Sequence, residues 1–253
     1  MEEPLHYSRP PVIEAIIDLH VAEFTPASTA ATILQGMLGA RFSDSPEVML
    51  TQPSDSGNVS VAPAQRIEGL RFKSSDGNRT LVAGENGLSY SVRRPYPGWE
   101  VLRDETKECW AAYCKAYRPQ AVNRIAIRYI NLIRVPVSDD NEDGKLEIDL
   151  ADYFRNGPVI SDDLPNIEHA VGFYVQVLIN QPDLNSQLLL RQARIGTDDR
   201  DTFNVALDID LFCTAESWSA DDDSIWSFLE SLRIRKNQVF EASLTSKAKE
   251  LFR

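Results

Sequence analysis

The sequence predicts an α+β protein in which one antiparallel sheet is built from two loosely repeated halves and carries its helices on one face. Several segments alternate apolar and polar residues with a period of two, which indicates half-buried strands. Strong hairpin-turn signals separate some of these segments. The order strand, helix, hairpin strands and helix occurs in residues 1–120 and again, with a degraded first helix, in residues 121–253. We therefore expect two halves that share one continuous sheet.

In the first half, the strand predicted at 12–24 has Ala15, Ile17 and Leu19 on its apolar face. A helix is predicted at 27–42, where apolar residues recur at three- and four-residue steps in a stripe that includes Ile33 and Met37. The segment 43–64 is rich in Ser, Pro, Asp and Gly, which indicates a mobile connection with at most one short strand.

An antiparallel meander and a second helix complete the first half. The strands are predicted at 67–74, 79–85 and 88–94, joined by the turn sequence SDGN and by Asn86-Gly87. An amphipathic helix at 99–117 then ends before Pro119, because a residue that precedes proline is disfavoured in the helical conformation. Its aromatic residues are expected to belong to the core.

The second half begins with the longest strand, at 122–135, and an acidic loop at 138–144. A short strand turning into one helical turn is expected at 146–154, and a long helix, followed by a short turn capped by Thr245 or Ser246, is expected at 223–244. Between them, further strands are predicted at 170–179, 187–195 and 202–212.

Three segments resemble the landmarks of a known family. They are YSRPPVIEAIIDLHV near the start, RIAIRYINLI in the middle and LRIRKNQVFEASLT before a terminal Leu-Phe. Together they resemble a sporadically distributed, uncharacterised bacterial family of about this length, with an N-terminal PPVxEAI motif and a central RYIN motif. The resemblance implies family membership and no activity. A patchy distribution is typical of mobile or defence-linked genes.

Composition excludes several classes of function. The chain is 43% hydrophobic and 25% charged, which is typical of a globular protein, and its net charge of -12 repels phosphate backbones, so direct nucleic-acid binding is disfavoured. No apolar run is long enough for a membrane span or a signal peptide, so we expect a cytoplasmic protein with no membrane partner. Three cysteines, an odd number, are consistent with a reducing compartment.

The candidate binding surface is the polar face of the sheet. Arginines on the strand at 122–135 need acids or water nearby, so Glu14 or Asp18 is predicted to pair with Arg124 or Arg128. Arg191 and Arg194 lie on opposite faces of their strand, so only one of them can join a network with the carboxylates of the last strand. Asn131, on an apolar face, must find hydrogen-bond partners, as at a bulge or loop end. The candidate face comprises Glu14, Asp18, Arg124, Arg128, Arg134, Asp208 and Asp210.

Catalytic motifs are not recognisable in this sequence. It has no nucleophile elbow, phosphate-binding loop or zinc-ligand spacing, and its three histidines are scattered, so neither a metal site nor a cofactor is expected. Asp208 and Asp210 share a strand face and form a weak Mg²⁺ or Ca²⁺ signal, which we interpret as a solvated or arginine-paired face.

Two interpretations of function therefore remain. The favoured one is a non-catalytic binding protein that recognises a protein partner or another copy of itself. The alternative is a small-ligand-binding protein or a metal-dependent enzyme with a cleft on the same face. Residues 121–253 hold most of the negative charge and are the expected surface for a basic partner.

Overall fold

The structure is a computed structural model of an α+β protein, with ten strands in one antiparallel sheet and four α-helices packed against it. The predicted class is therefore confirmed. No helix in the described part of the chain is long and apolar enough to cross a membrane. The predicted acidic loop at 138–144 and the start of the strand predicted at 170–179 lie outside the described residues. The residues that the structure describes are 7–22, 28–39, 41–42, 46–50, 67–136, 149–158, 161, 163, 165, 172–196 and 202–253.

The elements follow the predicted order closely. In chain order they are β1 Val12–Val21, α1 Ala30–Leu38, β2 Glu47–Leu50, β3 Ile67–Lys73, β4 Arg79–Gly84, β5 Gly87–Arg93, α2 Trp99–Tyr117, β6 Ala121–Pro136, β7 Tyr174–Gln181, β8 Ser186–Ile195, β9 Thr202–Cys213, β10 Trp218–Ser219, α3 Ser224–Ser243 and α4 Ser246–Glu250. Short 3₁₀ turns lie at Leu150–Asp152 and Pro182–Leu184. The two-residue strand β10 was not predicted, because two residues carry no periodicity.

The chain divides into two compact units. The terminal unit comprises Met1–Ala15, Ile127–Phe212 and Phe228–Arg253, and the central unit comprises Ile16–Ala126 and Cys213–Ser227. Both units are therefore built from segments that are distant in the sequence.

The strands of the central unit follow the order β2-β3-β4-β5-β1-β6, and β10 pairs with β6. Gly84 pairs directly with Gly87, so the second hairpin turn consists of Glu85 and Asn86 rather than Asn86 and Gly87. Gly87 opens β5 with φ +134°, and a Cβ there would lie 2.1 Å from the carbonyl oxygen of Leu19. Only glycine fits this position.

Helices α1 and α2 pack against each other, and α2 packs on β5. Tyr113 of α2 is fully buried and donates a hydrogen bond of 2.8 Å to the carbonyl of Gly84, which confirms the core role predicted for this aromatic residue. The prediction that Ile33 and Met37 belong to the buried stripe of the first helix is wrong, since both side chains are exposed. Helix α1 instead buries residues at four-residue steps, namely Ala30, Leu34 and Leu38.

The strands of the terminal unit follow the order β6-β9-β8-β7. Helix α3 contributes Leu229 and Leu232, both fully buried. The Thr245 side chain accepts a hydrogen bond of 3.2 Å from the backbone N–H of Ala248 and caps α4, as predicted. In this unit the Arg9 N–H donates to the Phe252 carbonyl at 3.0 Å, which joins the segment before β1 to the segment after α4.

Candidate functional site

The first strand presents its polar residues as predicted. Ala15, Ile17 and Leu19 are fully buried, whereas Glu14 and Asp18 are only partly buried. The alternation in the sequence therefore identified the correct polar face of β1.

Asp208, on β9 of the terminal unit, receives hydrogen bonds from two arginines. Arg128 of β6 donates from Nε to Oδ1 at 2.9 Å and from Nη2 to Oδ2 at 2.7 Å. Arg191 lies directly opposite Asp208 in the β8–β9 register and donates from Nη1 to Oδ2 at 2.9 Å. Both carboxylate oxygens are thus occupied by charge-assisted hydrogen bonds. We call these three residues the Asp208 cluster.

The Asp208 cluster extends onto β7. Arg191 donates from Nε to Oε1 of Gln176 at 3.1 Å, and the Tyr174 hydroxyl donates to the same oxygen at 2.7 Å. Gln176 pairs with Arg191 across β7 and β8. Tyr174 and Gln176 were not among the predicted residues, because their contact with Arg191 depends on which strands are neighbours in the sheet.

Two further predicted residues, Asp210 and Glu14, affect the pKa of Arg128 in this cluster. The hydrogen bond with Asp208 raises the pKa of Arg128, and the charges of Asp210 and Glu14 add to the effect while desolvation opposes it. Asp208, Asp210 and Glu14 therefore all favour the charged form of Arg128 in the terminal unit. The interpretation of a solvated or arginine-paired face holds at Asp208 through its arginines, and both Asp208 and Asp210 are buried rather than solvated.

The two arginines of β8 separate as predicted. Arg191 joins the Asp208 cluster, whereas Arg194 lies on the opposite face, with its guanidinium carbon 4.8 Å from the ring centroid of Phe203. Asn131 is buried and donates to the Leu207 carbonyl at 3.1 Å. It therefore bonds to the backbone of β9 instead of closing a bulge or loop end.

A second polar group lies in the central unit. Asp18 accepts a hydrogen bond from Arg124, as the pairing hypothesis predicts, and its Oδ2 is 3.0 Å from Nε2 of His20. Asp18 and His20 line a shallow pocket of about 160 Å³, together with Gly69, Gly84 and Gly87. This volume is well below the roughly 300–1,000 Å³ that is typical of small-molecule sites.

Arg134 completes the set of predicted residues. It is exposed near the end of β6, and no ion pair involves it within the described ranges. The seven predicted residues therefore fall into a terminal-unit group, a central-unit pair and one exposed cation.

Two other polar groups were not predicted. Glu105 of α2 accepts bonds from Nε of Arg79 at 3.0 Å and from the hydroxyl of Tyr90 at 2.8 Å. Lys236 of α3 places its Nζ 4.0 Å from the ring centroid of Tyr129, and burial lowers the pKa of its amine to about 7. Neither group matches a local sequence motif, since each is assembled from residues far apart in the chain.

The described residues contain no group of three or more His, Cys, Asp or Glu side chains that could hold a metal ion. Comparison with models of known protein families gives no match, and a search of curated proteins gives none either.

Proposed function

We propose that the protein acts by binding a macromolecular partner through the polar face of its sheet, without catalysis. The observation that carries this proposal is the Asp208 cluster, in which two arginines hold one buried carboxylate with three hydrogen bonds of 2.7–2.9 Å. A carboxylate in this state is a structural anchor for its arginines. It is not poised as a free base or metal ligand.

The cluster presents donors to solvent in a fixed geometry. The side chains of Arg128 and Arg191 remain 38% and 24% exposed although both contact Asp208. Ordered arginines lose little conformational entropy when they bind a partner, which favours recognition. Arg134 adds an exposed cation on the same strand as Arg128. Acidic groups on a protein partner fit these arginines, whereas the net charge of residues 121–253 predicts a basic partner.

The alternative functions receive less support. A metal-dependent enzyme centred on Asp208 would have to break the arginine contacts that occupy both carboxylate oxygens. A small-ligand site at Asp18 and His20 would have to enlarge the pocket of about 160 Å³.

The remaining parts of the proposal concern origin and architecture. Membership of the sporadic bacterial family with the PPVxEAI and RYIN motifs, a link to mobile or defence genes and a cytoplasmic location all rest on the sequence. The origin of the sheet from two repeated halves, 1–120 and 121–253, with helices on one face, rests on the order of elements.

Partner capture with charge-reversal variants tests the proposed function. The tagged full chain is used to capture proteins from a lysate of its source organism, beside Arg134→Glu and the control Lys115→Glu. Both side chains are exposed, and Lys115 lies on α2. We expect one partner to be captured by wild type and by Lys115→Glu and lost in Arg134→Glu. A partner retained equally by all three chains would contradict the use of this face.

A further inference from the structure

Strand β7 is an exposed apolar edge. It ends the strand order of the terminal unit, and no strand in the described part of the chain pairs with its outer side. Four of its apolar side chains are exposed, namely Tyr174 at 63%, Val177 at 44%, Leu178 at 56% and Ile179 at 39%. Its sequence, YVQVLINQ, contains no charge, proline or glycine. Natural sheets usually protect an edge with such residues or with a bulge.

The edge is also regular. All eight residues of β7 pair with β8 in an uninterrupted antiparallel register from Tyr174 opposite Ala193 to Gln181 opposite Ser186. A regular strand with unprotected backbone groups is a template for one more antiparallel strand.

We propose that this edge pairs with the β7 strand of a second copy of the chain, an inference that rests on the proposed binding function. The pattern of β7 is symmetric about Leu178, with the apolar Val177 and Ile179 on either side and the polar Gln176 and Asn180 beyond them. An antiparallel pair with a twofold axis at Leu178 places the two Leu178 side chains opposite each other. It also places Val177 opposite Ile179 and Gln176 opposite Asn180 of the other copy.

The net charge of -12 on each chain makes two copies repel each other, so self-association needs a surface without charge. Strand β7 contains no charged residue, and pairing at this edge therefore adds least to the repulsion. The two polar residues that flank the apolar centre of β7 already bond within their own sheet. Gln176 accepts from Arg191 Nε at 3.1 Å, and Asn180 accepts from Gln187 Nε2 at 3.0 Å. The side-chain oxygens of Gln176 and Asn180, on either side of the apolar centre, therefore already have hydrogen-bond donors.

The mass of the full chain in solution tests this pairing. Sedimentation equilibrium of wild type should give twice the monomer mass of 28.4 kDa. Leu178→Lys places two like charges opposite each other and should weaken the dimer about tenfold or more. The control Val48→Lys makes the same change at a residue that is 53% exposed on β2, the strand at the other end of the strand order, and should leave the dimer intact.

Disulfide trapping then tests the register. Leu178→Cys should form an intermolecular disulfide under mild oxidation, whereas Gln176→Cys should not, because each Gln176 faces Asn180 rather than its own copy. A wild-type monomer at about 50 μM, or a dimer that Leu178→Lys leaves intact, would overturn the inference. So would a captured protein that binds wild-type monomer and is lost in Leu178→Lys, since the edge would then serve a different partner. Loss of capture in Arg134→Glu concerns the polar face alone and is therefore distinguishable.

Discussion

At the scale of single residues, the polar face depends on Asp208. Its side chain is 9% exposed, and its single negative charge contacts the guanidinium groups of both Arg128 and Arg191. A buried ion pair contributes little net stability by itself, but removal of one partner leaves uncompensated charge. The cluster is therefore more sensitive to the loss of its carboxylate than to changes at its exposed rim.

Replacement of Asp208 by Asn keeps the shape of the side chain and removes its charge. We expect Asp208→Asn to lower the free energy of unfolding by about 1–3 kcal/mol, because charge-assisted hydrogen bonds to two partly exposed arginines are weakened. Urea denaturation measures the effect. The control is Asp183→Asn, which alters an exposed ion pair with Arg235 and should cost much less. Equal losses in the two variants would show that Asp208 does not anchor the cluster.

At the scale of elements, the stability of the terminal unit depends on which face of α3 is buried. Leu232 is fully buried, whereas Ile234, two positions along the same helix, is 46% exposed. The apolar face predicted from the helical period therefore includes Leu232, while the nearby isoleucine remains in solvent.

Truncation of these two residues tests the orientation of the helix. Leu232→Ala should cost about 2–5 kcal/mol because it removes buried methyl groups and leaves a cavity. Ile234→Ala should cost less than about 1 kcal/mol, because most of its surface stays hydrated. The two values come from chemical denaturation of the full chain. A larger loss for Ile234→Ala would mean that α3 presents a different face to the sheet.

Lys236 on the same helix makes stability depend on pH. Burial, assisted by the charge of Arg233 and opposed by Glu241, lowers its pKa to about 7 in the folded protein. The unfolded chain keeps this proton up to about pH 10.4, so this lysine contributes a rise in stability with pH between about 7 and 10.

The variant Lys236→Met removes that contribution. We expect it to be more stable than wild type near pH 7, with an advantage that shrinks as the pH rises towards 10. Denaturation midpoints across this range give the comparison, and Lys115→Met, at an exposed position on α2, serves as the control. An advantage for Lys236→Met that does not change with pH would contradict the desolvated amine.

At the scale of the whole molecule, the sequence predicted most of what local patterns encode. The alternation in β1 placed Asp18 on the polar face, and the hairpin signals placed β3, β4 and β5. The prediction that Ile33 is buried was wrong, because Ile33 lies next to the buried residue Leu34 and fits the three- and four-residue spacing of a helix as well as Leu34 does.

Long-range features were predicted less completely. The sequence predicted that only one of Arg191 and Arg194 pairs with the carboxylates of the last strand. Which of the two does so depends on the register between β8 and β9, which places Arg191 opposite Asp208. The row from Asp208 through Arg191 to Gln176 requires the strand order β9-β8-β7, and no local spacing encodes it. The exposure of β7 was not predicted for the same reason, because the residue pattern of an apolar strand does not show whether it lies at the edge or in the middle of a sheet.

The central claim is that the Asp208 carboxylate holds the arginines of a binding face and does not hold a metal. Calorimetric titration of the full chain with Mg²⁺, Mn²⁺ and Ca²⁺, beside Asp208→Asn, tests it most directly. We predict no saturable heat at Asp208, so that wild type and variant give the same titration curve. Stoichiometric binding at micromolar affinity that disappears in Asp208→Asn would contradict the account and favour a metal-dependent enzyme.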